Sequence, residues 1–100
     1  MAQQLSGPAR FRALISGRVQ MVGFRAFAEG RALALGVTGY VRNLPSGEVE
    51  VVAQGDRELL DEFLAALRRG PSGARVAGVT VSWETPRAEL SDFSIRLAGW

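Results

Sequence analysis

The side chains that could do chemistry lie in two short stretches, and the first surrounds Arg25. Residues 18–24 are predicted to form a loop with a glycine near its end, and the pattern after it predicts a helix that begins at about Arg25. The unpaired N–H groups and the positive dipole end of a helix N-terminus bind anions. A guanidinium can hold two phosphate oxygens at once, whereas a cation without an anion is disfavoured there. From this loop alone, an anion-binding arginine and an ordinary surface arginine are equally well supported.

The second stretch contains Asn43, which lies near the end of the second predicted strand. Asparagine is uncommon within strands, so a polar role at this position is worth considering. Its side chain can also cap the turn that follows at Pro45. Taken by itself, Asn43 is better explained by this local capping role than by chemistry.

The residue types that are missing restrict the chemistry more than those that are present. The chain has no cysteine and no histidine, and all 12 of its basic residues are arginine. Thiolate nucleophiles, histidine general bases, lysine-dependent phosphate loops and Schiff bases are therefore excluded. No pair of acidic residues has the spacing and context of a metal site. We expect no metal or cofactor, and if the protein is an enzyme it must work with arginine, carboxylates, amides, hydroxyls and backbone groups.

Length and charge describe one small domain. The chain has 100 residues, 47% of them hydrophobic, which is enough for a single core. Its net charge is +2 and its arginines are spread along the sequence, so no nucleic-acid partner is predicted. No apolar run approaches the roughly 18 residues of a membrane span, and residues 1–8 carry no export signal. We expect a cytoplasmic protein without a membrane partner, with a flexible leader at 1–10 and a domain at 11–100.

Hydrophobic periodicity predicts the order strand, helix, strand, strand, helix, strand, followed by a short final strand. The helices are predicted to end at Gly36 and Gly70, and Asp56 is the predicted N-cap of the second helix. Two βαβ units joined by a hairpin indicate an α+β, ferredoxin-like (split βαβ) two-layer sandwich. In that fold two helices cover one face of an antiparallel sheet of four to five strands. The predicted elements are strands 11–16, 37–44, 48–54, 76–83 and 93–97 and helices 25–35 and 57–69.

Most other polar and aromatic residues are assigned ordinary structural roles. Glu48 and Glu50 lie two apart on one face of a strand, and we expect them to form a solvated edge. Phe24 and Phe27 are expected in the core, and Trp83 in the core or as a cover of the sheet. The ferredoxin-like fold hosts many activities, so function depends on the stretches around Arg25 and Asn43.

Both stretches are similar to known motifs. Residues 17–25 (GRVQMVGFR) resemble the acylphosphatase signature, which usually reads Gly-Arg/Lys-Val-Gln-Gly-Val-x-Phe-Arg. Residues 39–50 (GYVRNLPSGEVE) resemble the second signature of that family, Gly-Trp/Tyr-Val-x-Asn-x-x-Asp/Asn-Gly-x-Val-Glu. The motifs stand in the right order and spacing, and the similarity extends over roughly residues 11–97. The chain is identified as a member of the acylphosphatase family, whose fold is the one that the periodicity predicts.

The resemblance implies a reaction and a role for each motif residue. The reaction is the hydrolysis of the carboxyl–phosphate anhydride of an acyl phosphate, a small molecule, to a carboxylate and inorganic phosphate. Arg25 matches the signature arginine and would bind the phosphoryl group, while Asn43 matches the signature asparagine and would hold the attacking water. A monomer is expected. The backbone N–H groups implied to cradle the phosphate belong to Gln20, Met21, Val22, Gly23, Phe24 and Arg25.

The sequence departs from the family pattern in three places. Met21 stands where the family usually has glycine, and a positive φ there would cost Met about 1–2 kcal/mol. Ser46 replaces the usual Asp or Asn of the turn, a minor change because serine also favours turns. The chain continues beyond Arg96 to Trp100, so a contact of the terminal carboxylate with the arginine, present in some members, is not expected here.

Three other functions are compatible with the same fold. A non-catalytic phosphate or anion-binding module is the main alternative, with Met21 as the sign of a site that has lost activity. RNA binding through the open sheet face is disfavoured because the strand at 48–54 has no aromatic residue. A domain of a carbamoyl-transferring maturation enzyme is disfavoured by the short length of the chain.

Overall fold

A computed structural model describes residues 7–88 and 91–97 of the chain. Five strands form a single sheet, and two helices pack against it. No helix among these residues combines the length and apolar character needed to cross a membrane. The elements are β1 (Pro8–Arg18), α1 (Phe24–Leu35), β2 (Thr38–Asn43), β3 (Val49–Asp56), α2 (Arg57–Arg69), β4 (Arg75–Glu84) and β5 (Phe93–Arg96).

The first four strands confirm the predicted ferredoxin-like topology. The strand order is β4-β1-β3-β2-β5, and β1 pairs antiparallel with both β3 and β4. Alternate residues of β1, namely Phe11, Ala13 and Ile15, are fully buried in the core that the sheet forms with the helices. From α2, Leu60 and Phe63 enter the same core. The alternate residues of the strand and the apolar face of the helix therefore pack together in one layer between the sheet and the helices.

The last strand requires a correction to the predicted antiparallel sheet. Strand β5 pairs with β2 in parallel, so the sheet is mixed, and β4 and β5 lie at opposite edges. After β4 the chain therefore crosses to the far edge of the sheet and runs beside β2 in the same direction. Phe93 fixes this arrangement because it is 4% exposed and its ring lies 5.7 Å from that of Phe63. The pairing puts Ile95 beside Val41, next to the end of β2.

The first strand begins earlier than the sequence predicts. Residues 1–6 of the predicted leader, and residues 98–100 at the other end, lie outside the described part of the chain. Residues 8–10, however, belong to β1, which corrects the boundary of the leader. Strand β3 pairs with all three of these residues and β4 pairs with Arg10, whose Nε donates to Glu84 Oε1 at 3.1 Å. The sequence does not indicate this extension, because a proline argues against a strand. Proline is tolerated here because it stands at the first position of β1.

The helix ends agree with the expected sequence signals in most details. Helix α1 begins one residue earlier than predicted, at Phe24, and Gly36 takes the left-handed conformation (φ 74°) at its C-terminus. The Gly36 N–H and its neighbours then satisfy carbonyl groups of the last turn. Asp56 occupies the N-cap position of α2, but its side chain makes no capping hydrogen bond there.

The expectation of a solvated edge at Glu50 is wrong. Strand β3 lies in the middle of the sheet, and Glu50 on its outer face is only 2% exposed. Arg12 and Arg42, from the two strands that flank β3, each place Nε 2.5 Å from one Glu50 carboxylate oxygen. Burial acts to raise the pKa of Glu50, but the hydrogen bonds and charges of Arg42 and Arg12 outweigh it and lower the pKa below its ordinary value. The carboxylate is therefore ionised at neutral pH and held by two guanidinium groups.

Candidate active site

The loop between β1 and α1 ends in an open helix N-terminus. Gly23, at the N-cap, has φ 79° and offers no side chain for capping, and the first turn of α1 contains no acidic residue. Within the described residues, no acceptor is found for the backbone N–H groups of residues 20–26. These N–H donors and the positive end of the helix dipole together can bind an anion.

Met21 adopts a backbone conformation that normally favours glycine. Its φ is 63°, the only positive value at a non-glycine position among the described residues, and its side chain is 100% exposed. A methionine in this region of φ is strained by about 1 kcal/mol. Left-handed residues at Met21 and again at Gly23 are typical of loops whose successive N–H groups form an anion-binding concavity.

Arg25 lies in the first turn of α1, and no side-chain partner for it is found in residues 7–88 or 91–97. It is half-buried, whereas Arg18, Arg31 and Arg75 are exposed to solvent. The remaining arginines that are buried or half-buried all bind carboxylates: Arg10 binds Glu84, and Arg12 and Arg42 bind Glu50. A half-buried guanidinium at the positive end of a helix, with no carboxylate partner among the described residues, is suited to binding an anion.

Asn43 is the last residue of β2, where the strand gives way to the turn before β3. Its Oδ1 atom is buried and has no hydrogen-bond partner within the described structure. Buried polar atoms are nearly always paired in native proteins, so this one points to a missing donor. A water molecule or a ligand can supply that donor.

One open pocket of about 250 Å³ brings Arg25 and Asn43 together, as expected for a shared site. Gly23 and Phe24 also line it, although Phe24 is only 1% exposed and belongs to the core. Gln20 and Val22 do not line the pocket. The lining residues are Val19, Met21, Gly23, Phe24, Arg25, Ala26, Asn43 and Ile95.

The side chain of Gln20 performs a task that the sequence does not indicate. Its Nε2 atom donates to the carbonyl oxygens of Leu44 at 2.8 Å and Glu48 at 3.0 Å. These residues close the turn between β2 and β3, where the Leu44 N–H also donates to the Glu48 carbonyl. The loop that carries the free N–H groups is therefore tied to the turn that follows Asn43, and this fixes one side of the pocket against the other.

Sequence reasoning did not include Val19, Ala26 and Ile95 among the site residues. Val19 and Ala26 directly flank the predicted phosphate-binding residues 20–25, and this adjacency is the signal that could have identified them. Ile95 has no comparable signal, because its place in the pocket depends on the parallel pairing of β5 with β2.

The arrangement can hold an anion with three or more oxygens and orient a water molecule beside it. Backbone N–H groups and the Arg25 guanidinium supply the positive side, and the Asn43 Oδ1 atom supplies an acceptor. Among the described residues no three His, Cys, Asp or Glu side chains lie close enough together to hold a metal ion. The groups present suit a reaction that depends on charge stabilisation and positioning.

Comparisons with known proteins give one consistent result. The sequence model of the Acylphosphatase family matches residues 11–95. A curated acylphosphatase of Thermus thermophilus is 57% identical over 74 residues, which cover 74% of this chain and 84% of the relative. One from Dehalococcoides mccartyi is 52% identical over 86 residues and covers 85% and 94%. The crystal structure of acylphosphatase from Bacillus subtilis superimposes with a TM-score of 0.85 at 32% identity, covering 88% of this chain and 98% of that one.

Proposed function

Because the chain belongs to the acylphosphatase family, we propose that it hydrolyses acyl phosphates to a carboxylate and inorganic phosphate, with Arg25 and Asn43 as the working side chains. One observation carries the assignment of these residues. Among the described residues, a half-buried guanidinium with no carboxylate partner and a buried amide oxygen with no donor line the same pocket. A phosphate would supply the anion for the guanidinium, and a water molecule would supply the donor for the amide oxygen.

The phosphoryl group binds at the N-terminus of α1. Its non-bridging oxygens accept hydrogen bonds from backbone N–H groups between Gln20 and Arg25, and the Arg25 guanidinium grips two of them. Phosphoryl transfer from an acyl phosphate passes through a loose transition state with charge on the equatorial oxygens, so it needs mainly positioning and charge stabilisation. Fixed donors that are already in place supply this without reorganisation.

Asn43 directs the water. Its Oδ1 atom accepts a hydrogen bond from the water and holds the oxygen in line with the bond that breaks. As the new O–P bond forms, the bond between phosphorus and the acyl oxygen breaks, and its electron pair leaves with the carboxylate. The proton of the water passes to a phosphate oxygen of the substrate. A carboxylate is a good leaving group, so the absence of histidine and cysteine from the chain is no obstacle.

The proposal is tested with benzoyl phosphate in the presence of EDTA, by comparing the wild type with the Asn43→Ala variant. Asn43→Ala should lower kcat about 10²-fold and change KM by less than about threefold, because the amide acts on the water and not on the phosphoryl group. Gln54→Ala removes an amide on the outer face of the sheet, outside the pocket, and serves as the matched control. Phosphate binding without turnover in the wild type would favour the non-catalytic alternative. Wild-type kinetics in Asn43→Ala would remove Asn43 from the mechanism.

The proposal extends to the partners, the oligomeric state and the cellular compartment of the enzyme. The enzyme takes a small-molecule substrate and no nucleic acid, and acts as a monomer in the cytoplasm. The spread of the arginines along the sequence, and the carboxylate partners of Arg10, Arg12 and Arg42, support the absence of a nucleic-acid surface. Light scattering on the purified protein, a gel-shift assay with RNA and fractionation of the source cells test the three points separately.

A further inference from the structure

Met21 combines two properties that stability does not explain. Its side chain is 100% exposed and adds nothing to the core, and its backbone is left-handed, where glycine is less strained. Strained residues in folded proteins cluster at functional sites, and the strain is a reason to look for a function. The backbone N–H of position 21 would be present with any residue, so a function special to methionine must lie in its side chain.

The position of Met21 relative to Asn43 suggests which part of the substrate it meets. Met21 lines the pocket from the loop that precedes α1, whereas Asn43 lines it from the end of a strand. In an in-line reaction the leaving group departs on the side opposite the attacking water. With the water held by Asn43, the acyl group points away from Asn43 and toward the open side of the same pocket, where the exposed Met21 side chain can reach it.

We propose that the Met21 side chain contacts the acyl group and gives the enzyme a preference for acyl phosphates with bulky apolar acyl groups. This inference rests on the proposed function. A methionine side chain is flexible and polarisable, so it can fold onto rings and branched chains of different shapes. In the unliganded pocket it is fully exposed, and closing on an apolar acyl group removes apolar surface of both partners from water. An acetyl group offers little surface for such a contact.

The test compares benzoyl phosphate with acetyl phosphate in the wild type, Met21→Ala and Met21→Gly. Both substitutions remove the apolar side chain and keep the backbone N–H, but only glycine relieves the left-handed strain. The ratio of kcat/KM for benzoyl phosphate to that for acetyl phosphate should fall about three- to tenfold in both variants, as expected for an apolar contact at an open pocket. Leu33→Ala, which removes an exposed apolar side chain from α1 outside the pocket, is the matched control and should leave the ratio at its wild-type value.

The outcomes separate this inference from the function on which it rests. If the wild type hydrolyses neither substrate, the proposed function fails. If the wild type hydrolyses both and the two Met21 variants keep its ratio within twofold, the side-chain contact is refuted while the function stands. A change confined to Met21→Gly would also refute it, because the effect would then come from the backbone. Circular dichroism of each variant confirms that the fold is retained.

Discussion

Two regions of the molecule use arginine in opposite ways. On the outer face of the sheet, Arg12 and Arg42 both donate to the Glu50 carboxylate between them. In the pocket at the N-terminus of α1, Arg25 has no side-chain partner within the described residues, and the Oδ1 atom of Asn43 is buried without a donor. In the first region the charged groups pair with one another, whereas in the second they have no partner among the described residues.

The difference shows what separates a structural arginine from a binding one in this fold. Both kinds are at least half-buried, so burial does not distinguish them. What differs is whether a neighbouring strand supplies a carboxylate, as β3 does with Glu50. Unpaired buried groups lower stability, and a fold keeps them where a ligand completes the hydrogen bonds.

The largest expected effect comes from Arg25→Ala. Its kcat/KM for benzoyl phosphate should fall about 10³-fold, because the charge that stabilises the phosphoryl oxygens is lost in both binding and turnover. The free energy of unfolding should not fall, since Arg25 has no partner in the described structure and a cation is disfavoured at a helix N-terminus. Steady-state kinetics and urea unfolding measure the two quantities.

Arg12→Ala is the matched control, because it removes an arginine from the outer face of the sheet. It should lower the free energy of unfolding by about 1 kcal/mol, as one of two charged hydrogen bonds to a buried carboxylate is lost, while kcat/KM stays near the wild-type value. The contrast between the two regions is refuted if both variants change kcat/KM and the free energy of unfolding in the same way, or if Arg25→Ala keeps wild-type activity.

Glu50→Gln should have the next largest effect, on stability alone. The loss in the free energy of unfolding is expected to be about 1–3 kcal/mol, because Arg12 and Arg42 lose a buried anion and face an amide group that can donate. Asp61→Asn, at an exposed ion pair with Arg57 on α2, is the control and should cost less than about 0.5 kcal/mol.

The pH dependence of this loss follows from the direction of the pKa shift. The folded-state pKa of Glu50 lies below its ordinary value of 4.5, since the arginine contacts outweigh burial. The stabilisation is therefore fully present above the unfolded-state pKa, and is lost as pH falls through the folded-state pKa. The unfolding free energies of wild type and Glu50→Gln should converge in acid. A difference that persists unchanged at low pH would show that packing, and not charge, makes Glu50 stabilising.

Much of the fold and of the site could be predicted because it depends on local patterns. The order of the strands and helices follows from periodicity, and the glycine at 36 marks the end of α1. The sequence also placed Arg25 at a helix N-terminus and Asn43 at a strand end. Their meeting in one pocket was expected only from the resemblance to a known family, because nothing local relates the two positions.

The parts that could not be predicted depend on contacts distant in sequence. Glu50 was expected at a solvated edge because polar and apolar residues alternate along its strand. Only the strand order shows that this strand lies in the centre of the sheet. Ile95 enters the pocket through a parallel pairing that strand patterns do not specify. The side chain of Gln20 ties the loop to the β2–β3 turn through backbone carbonyls, which have no sequence signature.

The smallest effect should come from relieving the strain at Met21. If the pocket region gives up stability for function, Met21→Gly should raise the free energy of unfolding by about 0.5–1 kcal/mol, because glycine adopts φ 63° without steric conflict. Met21→Ala keeps the Cβ atom and should bring no gain. Gly23→Ala, at φ 79° and with open space around the added Cβ, should lower stability by about 1 kcal/mol for the same conformational reason. A Met21→Gly variant less stable than wild type in urea would show that the loop is not strained, and the pocket would then differ from the outer face only in its unpaired groups.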